Sequence, residues 1–175
     1  MKKVAIIGAG ISGLFIANLF KRNKKYLVTI FERNNSINLK DGYGIQLSVN
    51  SIKLLNKIQF DKLENSEKFN PDKIYFYSIK NSNKICELNI SDFNIENCKY
   101  TTLKRSSLIN FLKKNLEKEI KFDHTISKIE HQDKIVKITF ENNEIYEFDY
   151  LIISDGVFSK SKNLLSKNQI QPKFD

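Results

Sequence analysis

The sequence is poor in the residues that build disulfides and metal sites. Its two cysteines, Cys86 and Cys98, are isolated, and its two histidines, His124 and His131, have no companion ligands at metal-binding spacing. This pattern excludes a metal centre and favours two free thiols in a reduced cytoplasm over a disulfide. No apolar run approaches the length of a membrane span. We therefore expect a cytoplasmic protein with no transmembrane segment, while peripheral membrane association stays open.

Arginine is scarce as well, although the chain is strongly basic. The formal net charge is +9, but Arg22, Arg33 and Arg105 are the only arginines. The lysines are scattered among asparagines and isoleucines, with no basic helix face and no aromatic stacking motif. This distribution indicates a compositional bias rather than a nucleic-acid surface, so we expect no nucleic-acid partner. The positive charge would help to recruit an anionic cofactor or substrate.

A glycine-rich turn lies close to the start of the chain. The apolar run 4–7 predicts a buried strand, and Gly8-Ala9-Gly10-Ile11-Ser12-Gly13 leads directly into a helical pattern over 11–22. In such a turn the first glycine forms the tight bend and the second lets the backbone approach a pyrophosphate. The third lets the helix pack closely on the strand. Because a helix N-terminus favours anions, the turn predicts a phosphate site.

A second strand is predicted at residues 27–31 and is followed by Glu32. A carboxylate at this strand end can accept hydrogen bonds from an adenosine ribose, and it would repel a 2′-phosphate. Glycine-rich turns are common, and an ordinary βαβ turn with accidental spacing is the alternative interpretation. Strand, glycine turn, helix, second strand and terminal acid in one unit favour dinucleotide binding.

The rest of the chain alternates predicted helices and strands. The first of these elements are a helix at 48–58, a strand pair at 73–79 and 84–90, a short strand at 100–103, a helix that begins after it and has apolar positions as far as residue 116, and a short strand at 120–122. A three-stranded meander follows at 125–130, 135–141 and 144–148, with turns at 131–133 and 142–143, and then a buried strand at 150–154. A chain of 175 residues, 41% of them hydrophobic, suits one domain with its own core. The predicted class is α/β, with a mainly parallel sheet flanked by helices, a β-meander and part of a second sheet.

Four stretches of the sequence, taken in order, form a recognisable set. The first stretch is the glycine turn with Glu32-Arg33. The others are Gly42-Tyr43-Gly44-Ile45-Gln46-Leu47-Ser48-Val49-Asn50, Leu103-Lys104-Arg105-Ser106-Ser107-Leu108 and Asp149-Tyr150-Leu151-Ile152-Ile153-Ser154-Asp155-Gly156-Val157-Phe158-Ser159. Together they resemble one known family, the FAD-dependent aromatic-ring monooxygenases of the para-hydroxybenzoate hydroxylase and ubiquinone-biosynthesis hydroxylase type. The resemblance implies a Rossmann-like FAD-binding fold over residues 1–175, with residues 71–100 as inserted strands of a partial substrate domain.

The resemblance also implies roles for particular residues. The turn, formed by Gly8, Ala9, Gly10, Ile11, Ser12 and Gly13, would hold the FAD pyrophosphate, and Asp155 and Gly156 would lie beside it. Glu32 would bind the adenosine ribose, Arg33 would lie beside the adenine, and the backbone of Ile126 would contact the adenine. Arg105 would reach the phosphate–ribose region, and Gly44 would contact the cofactor. Structural alternatives stay open for three of these. Arg105 could cap a helix start, the Asp-Gly pair could be an everyday turn, and Gly44 could serve loop geometry alone.

The activity that the resemblance implies is NAD(P)H-dependent hydroxylation of an aromatic or polyprenylated ring, with oxygen as the co-substrate and FAD as the cofactor. No residue is assigned as catalytic, and the oligomeric state is not predicted. Family members are considerably longer than this chain, so we expect a truncated N-terminal portion. Two alternatives stay open: an FAD-binding fragment without turnover, and another FAD-dependent oxidoreductase of similar architecture.

Three places depart from the family pattern. The turn at 23–26 lacks the glycine that is common there and is one residue longer. Gln59 stands where a glycine often follows the second helix, and Lys162 replaces a usual arginine after Asp155-Gly156. The lysine makes a contribution of residue 162 to binding the nicotinamide reductant doubtful.

Overall fold

The computed structural model describes residues 1–39 and 43–165. In chain order its elements are β1 (Lys2–Ile7), α1 (Ile11–Lys21), β2 (Tyr26–Phe31), β3 (Gly44–Leu47), α2 (Val49–Asn56), β4 (Lys68–Phe69), β5 (Lys73–Tyr77), β6 (Lys84–Asn89), β7 (Thr101–Lys104), α3 (Arg105–Lys113), β8 (Ile120–Lys121), β9 (Ile126–Gln132), β10 (Ile135–Phe140), β11 (Ile145–Phe148), β12 (Tyr150–Ile153) and α4 (Ser161–Leu165). Among these described helices, none is both long and apolar enough to cross a membrane.

The chain divides into two compact units. The first unit combines residues 1–38 with the described residues from 112 to 165, and the second contains the described residues between 39 and 111. The second unit is thus inserted in sequence between β2 and β8 of the first. The assignment of residues 71–100 to a partial substrate domain stays a prediction.

The first unit is built on a parallel four-stranded sheet with the strand order β12-β1-β2-β8. β1 lies inside this sheet: Ile7 pairs with Ile153 on one side and with Phe31 on the other. Because a central parallel strand is covered on both faces, it contains the uninterrupted apolar run 4–7, and all of these side chains are buried. α1 packs against β1 and β2, and its Leu14 is fully buried.

An aromatic cluster joins the end of β2 to the antiparallel meander β9–β10–β11. The ring centroid of Phe31, the last residue of β2, lies 4.5 Å from that of Phe140 and 5.8 Å from that of Phe148. The ring of His124 lies 5.3 Å from that of Phe31, and the His124 amide donates to the carbonyl oxygen of Glu32 at 2.9 Å. The buried cluster therefore holds the chain in place where β2 ends and Glu32 begins.

The amino ends of β1 and β12 are joined by a charged contact. Asp149, the residue before β12, accepts hydrogen bonds from Lys2 Nζ at 2.5 Å and from the Lys3 amide at 2.7 Å. Both hydrogen bonds lower the pKa of the Asp149 carboxyl below its ordinary value of 3.8, and the one from Lys2 has the larger effect. The contact thereby favours the ionised carboxylate and the observed register of the two strands.

We expect this contact to make the stability pH-dependent in acid. Because the folded-state pKa of Asp149 is depressed, its stabilising contribution is present above pH 3.8 and is lost as the pH falls through the lower folded-state value. The contribution is small, because the pair is exposed to solvent. The measurement is the thermal midpoint from neutral pH to below pH 3.8, for the wild type and for Asp149→Asn. The two curves should converge at the acid end, and parallel curves would contradict the assignment.

The second unit contains two antiparallel sheets within its described residues. One has the strand order β3-β7-β4, with Gly44 paired to Lys104 at one end of β3 and Leu47 paired to Thr101 at the other. The other is the β5–β6 hairpin, in which every residue of β6 is exposed. The hairpin is therefore a sheet with little core of its own.

The predicted α/β class is confirmed, with its parallel sheet, flanking helices and three-stranded meander. The sequence interpretation missed β3 and β4, which are four and two residues long. β12 is also four residues long but is a continuous apolar run, whereas β3 contains two apolar residues and β4 one, which is too few to indicate a strand. Their pairing with β7 depends on tertiary structure.

One predicted turn is wrong in its position. His131 and Gln132 continue β9 and pair with Val136 and Ile135, so the turn begins at Asp133, whose φ is +50°. Both predicted turn residues are exposed, and an exposed strand end accepts polar side chains that resemble a turn in the sequence.

Gln59, in the turn that follows α2, occupies the left-handed backbone region, with φ of 70° and ψ of 34°. This gives a physical reason for the glycine that the family pattern often has there. A side chain in this region brings its Cβ too close to the following carbonyl, at a cost of roughly 1–2 kcal/mol.

Gln59→Gly should therefore stabilise the protein by about 1 kcal/mol, because glycine adopts this backbone conformation without a Cβ clash. The measurement is the free energy of unfolding in urea. Gln59→Ala is the matched control: it removes the same atoms beyond Cβ but keeps Cβ itself, so it should not stabilise. Equal stabilisation by both variants would assign the effect to the outer side chain instead of the backbone.

Candidate functional site

The carboxyl ends of β1, β2 and β12 meet at one edge of the parallel sheet. Gly8 follows β1, Glu32 follows β2, and Ser154 and Asp155 follow β12. The strands β2 and β12 flank β1 on opposite sides, so the connections diverge at the end of β1. Open α/β sheets bind ligands at such a topological switch point. This edge is therefore the candidate site.

Close backbone packing explains the first and third glycines of the turn. Gly8 has φ of +102°, and a Cβ there would lie 2.6 Å from the carbonyl oxygen of Ser154. A Cβ on Gly13 would lie 2.0 Å from the carbonyl oxygen of Gly8. Neither position has room for a side chain, so the end of β1, the start of α1 and the end of β12 are in direct contact.

The second glycine, Gly10, is different, because the surrounding protein does not require it. A Cβ on Gly10 would meet no described atom within 4 Å beyond its chain neighbours, and its φ is −79°. The first rung of α1 is the hydrogen bond from the Leu14 amide to the Gly10 carbonyl at 2.9 Å. The amides of residues 11–13 precede that rung and have no acceptor within the helix. Open space beside such amides suits a phosphate group.

Glu32 is held against the turn by two backbone amides. Its Oε2 accepts from the Ala9 amide at 2.9 Å, and its Oε1 accepts from the Asn34 amide at 3.1 Å. A carboxylate oxygen can accept more than one hydrogen bond, so both oxygens keep capacity for a ligand hydroxyl. The side chain is half-buried and fixed in orientation before any ligand arrives.

Asp155 lies against the glycine turn from the β12 side. Its Cα would be 2.9 Å from a Cβ on Gly8. Its Oδ2 accepts from the Ser161 amide at 3.3 Å, whereas its Oδ1 is buried with no hydrogen-bond partner among the described residues. A buried carboxylate oxygen needs a donor, so Asp155 would accept from a ligand hydroxyl or a water rather than contact a phosphate oxygen. Gly156 follows with φ of +87°, as a turn residue.

The structure places the remaining predicted contacts of the first unit less centrally. Arg33 is exposed in the loop after β2. Ile126 is buried in the cluster around Phe31, so its side chain is a core residue and only its backbone could reach a ligand.

Gly44 and Arg105 belong to the second unit, at adjoining ends of β3 and α3. Gly44 pairs with Lys104, and the Arg105 amide donates to the carbonyl oxygen of Tyr43 at 3.1 Å. A Cβ on Gly44 would meet only the carbonyl oxygen of Leu103, at 4.0 Å, so packing does not require glycine there. Gly42, part of the same motif, lies outside the described residues. Cofactor contacts of Gly44 and Arg105 stay predictions.

Sequence reasoning missed Ser154 as a part of the site. Its hydroxyl donates to the carbonyl oxygen of Ile7 at 2.9 Å and approaches that of Gly8 at 3.4 Å. The one available signal is a hydroxyl residue directly after the apolar strand 150–153, which is too common to be specific.

The parallel sheet, α1 and the glycine turn together define the fold class as Rossmann-like. Residues 6–39 match the family model of the NAD(P)-binding Rossmann-like domain. This stretch contains the glycine turn, α1, β2 and Glu32, which are the features that form one side of the candidate site.

One curated relative and two solved structures are similar to most of this chain. The 6-hydroxynicotinate 3-monooxygenase of Bordetella bronchiseptica is 23% identical over 175 residues, which cover 98% of this chain and 45% of that protein. The structure of 2,6-dihydroxypyridine-3-hydroxylase from Arthrobacter nicotinovorans superposes with a TM-score of 0.80 at 16% identity, covering 99% of this chain and 41% of that one. The structure of HpxO of Klebsiella pneumoniae, complexed with FAD and uric acid, superposes with a TM-score of 0.77 at 17% identity, covering 89% of this chain and 39% of HpxO.

The resemblance to FAD-dependent monooxygenases that the four motifs predict is thereby confirmed, in sequence and in fold. The chain spans less than half the length of the curated relative, 45%, and a similar share of the matched structures. Activities and ligands named for those proteins belong to their full-length chains.

The contrast between Gly13 and Gly10 can be tested without a ligand. Gly13→Ala should destabilise the fold by about 1–3 kcal/mol, because its Cβ would overlap a backbone oxygen that cannot move freely. Gly10→Ala, the matched control three residues earlier at the start of α1, should change the free energy of unfolding by less than about 0.5 kcal/mol. Urea unfolding of the ligand-free variants measures both. Equal losses would show that the open space beside Gly10 is absent in solution.

Proposed function

We propose that the glycine turn binds the pyrophosphate of FAD and that Glu32 binds the adenosine ribose. The observation that carries this proposal is the open space at Gly10, at the switch point of the sheet and beside the first amides of α1, which have no acceptor within the helix. At Gly8 and Gly13 the protein leaves no room for a Cβ, so packing alone requires glycine, whereas packing does not require it at Gly10. A ligand that approaches the backbone closely supplies one.

Glu32 supports a dinucleotide with an unphosphorylated adenosine ribose. Its carboxylate is fixed by the amides of Ala9 and Asn34, so it presents acceptor oxygens where the ribose hydroxyls would lie. A 2′-phosphate would meet this negative charge and be repelled. FAD has no such phosphate and satisfies the site. Arg33, Gly44, Arg105, Ile126, Asp155 and Gly156 are proposed as further contacts to the cofactor.

The wider activity that we propose is that of an NAD(P)H-dependent monooxygenase acting on an aromatic or polyprenylated ring, in the cytoplasm, with this chain as the FAD-binding part. Bound FAD would supply the redox and oxygen chemistry, while the residues described here bind and orient it. The names of the relatives favour a hydroxylated nitrogen-containing ring: 6-hydroxynicotinate, 2,6-dihydroxypyridine and uric acid. No residue of this chain is assigned a catalytic role.

A fragment that binds FAD without turnover is the second candidate. The observation that favours it is the coverage, since the chain corresponds to only 45% of its curated relative. Another FAD-dependent oxidoreductase of the same architecture is the third. Oxygen-dependent product formation separates the first two candidates. NAD(P)H oxidation accelerated by an aromatic substrate favours the hydroxylase over the third.

The direct test is the visible absorption spectrum of the purified chain after FAD is added and unbound FAD removed. The wild type should retain a flavin band, and Gly10→Val should lose it, because the side chain would fill the space that the pyrophosphate needs. Lys24→Val is the control, since it places the same side chain in the turn before β2, at the opposite edge of the sheet.

Full FAD affinity in Gly10→Val would contradict the site assignment. A wild type that retains no flavin would be retested as a C-terminally extended chain, and failure there as well would contradict FAD binding itself.

A further inference from the structure

A single peptide group in the glycine turn is held from both sides by side chains of neighbouring strands. The Ala9 amide, the N–H side of the Gly8–Ala9 peptide, donates to Glu32 Oε2 at 2.9 Å. On the opposite side, the Ser154 hydroxyl lies 3.4 Å from the Gly8 carbonyl oxygen and 2.9 Å from that of Ile7. A hydroxyl carries one proton, so these two contacts form one shared hydrogen bond.

The hydroxyl of Ser154 sits at the most crowded point of the site. A Cβ on Gly13 would lie 2.8 Å from Ser154 Oγ and 2.0 Å from the Gly8 carbonyl oxygen. The main chain of Ser154 is also fixed there, because its amide donates to the Ile7 carbonyl at 2.8 Å. The hydroxyl oxygen is therefore closely confined between β1 and α1.

We propose that Ser154 is a positioning residue for the pyrophosphate site. Its hydroxyl donates chiefly to the Ile7 carbonyl and more weakly to that of Gly8, so it restrains the two peptide groups that enter the turn, while Glu32 holds the Ala9 amide. These restraints set the direction in which Gly10 and the first amides of α1 face. Ser154 does not itself contact the ligand. The inference rests on the proposed function only in naming FAD as the ligand, because the hydrogen bonds are present in the protein alone.

Removing the hydroxyl leaves the turn free to sample more orientations, which the ligand must then order when it binds. Preorganisation of this kind appears as affinity. Loss of one hydrogen bond of ordinary net strength corresponds to about fivefold to tenfold in the dissociation constant. We expect Ser154→Ala to weaken FAD binding by that factor.

The matched control is Ser159→Ala, in the same segment of chain. Ser159 is also buried, and its Oγ accepts from the Lys162 amide at 3.1 Å, so its hydrogen bond serves α4 and not the glycine turn. Loss of a merely structural hydroxyl would affect both variants alike. Ser154→Cys is the second variant, since it keeps a similar volume with a poorer donor.

The experiment measures three quantities for the wild type and the three variants: FAD affinity by flavin fluorescence, the thermal midpoint, and amide hydrogen exchange of residues 8–13 in the ligand-free protein. Ser154→Ala and Ser154→Cys should bind FAD more weakly, Ala more so, and should exchange faster in the turn. Ser159→Ala should match the wild type in both. The exchange measurement keeps the test valid if one variant is hard to purify with flavin.

The outcomes separate the inference from the proposed function. Wild-type affinity and wild-type exchange in both Ser154 variants would overturn the inference while FAD binding stands. An equal loss in Ser159→Ala would also overturn it, by showing general loosening of the segment. Failure of the wild type to bind FAD, with faster turn exchange in Ser154→Ala, would overturn the proposed ligand and leave the positioning role supported.

Discussion

The close contact between α1 and the end of β1 is the constraint on which the site depends. The Gly8 carbonyl oxygen occupies the place that a Cβ of Gly13 would need, at 2.0 Å, so the helix can approach the strand only because Gly13 has no side chain. This approach brings the first amides of α1 to the carboxyl edge of the sheet. The proposed phosphate recognition would thereby rest on backbone geometry, which is sensitive to small displacements that a flexible side chain would absorb.

The acid beside the turn depends on a different part of the molecule. Glu32 follows Phe31, and the rings of Phe140 and Phe148 hold Phe31 in the core. Among the described hydrogen bonds, none joins the meander to the glycine turn. The meander thus contributes to the candidate site through packing. When a binding edge is fixed by a rigid core, few protein groups have to be ordered as a ligand binds, and this favours affinity.

Much of this architecture could be predicted from the sequence, but unevenly. The strands 4–7 and 27–31 and the helix after the glycine turn have strong periods and well-defined ends, and each is found close to its predicted bounds. β3 and β4 were not predicted, because they form by pairing with β7, which is distant from them in the sequence. The positive φ of Gln59 escaped for a related reason, since glutamine carries no local signal for that conformation.

The sequence by itself determined the parallel β1–α1–β2 unit, the glycine turn and the acid after β2, because residue spacing, apolar periodicity and the lack of a side chain act locally. Tertiary structure alone decided that β12 returns beside β1 and brings Ser154 and Asp155 to the turn. It also decided that Glu32 bonds to the Ala9 amide. These contacts join residues far apart in the chain, and their energies depend on distances that only the packed sheet sets.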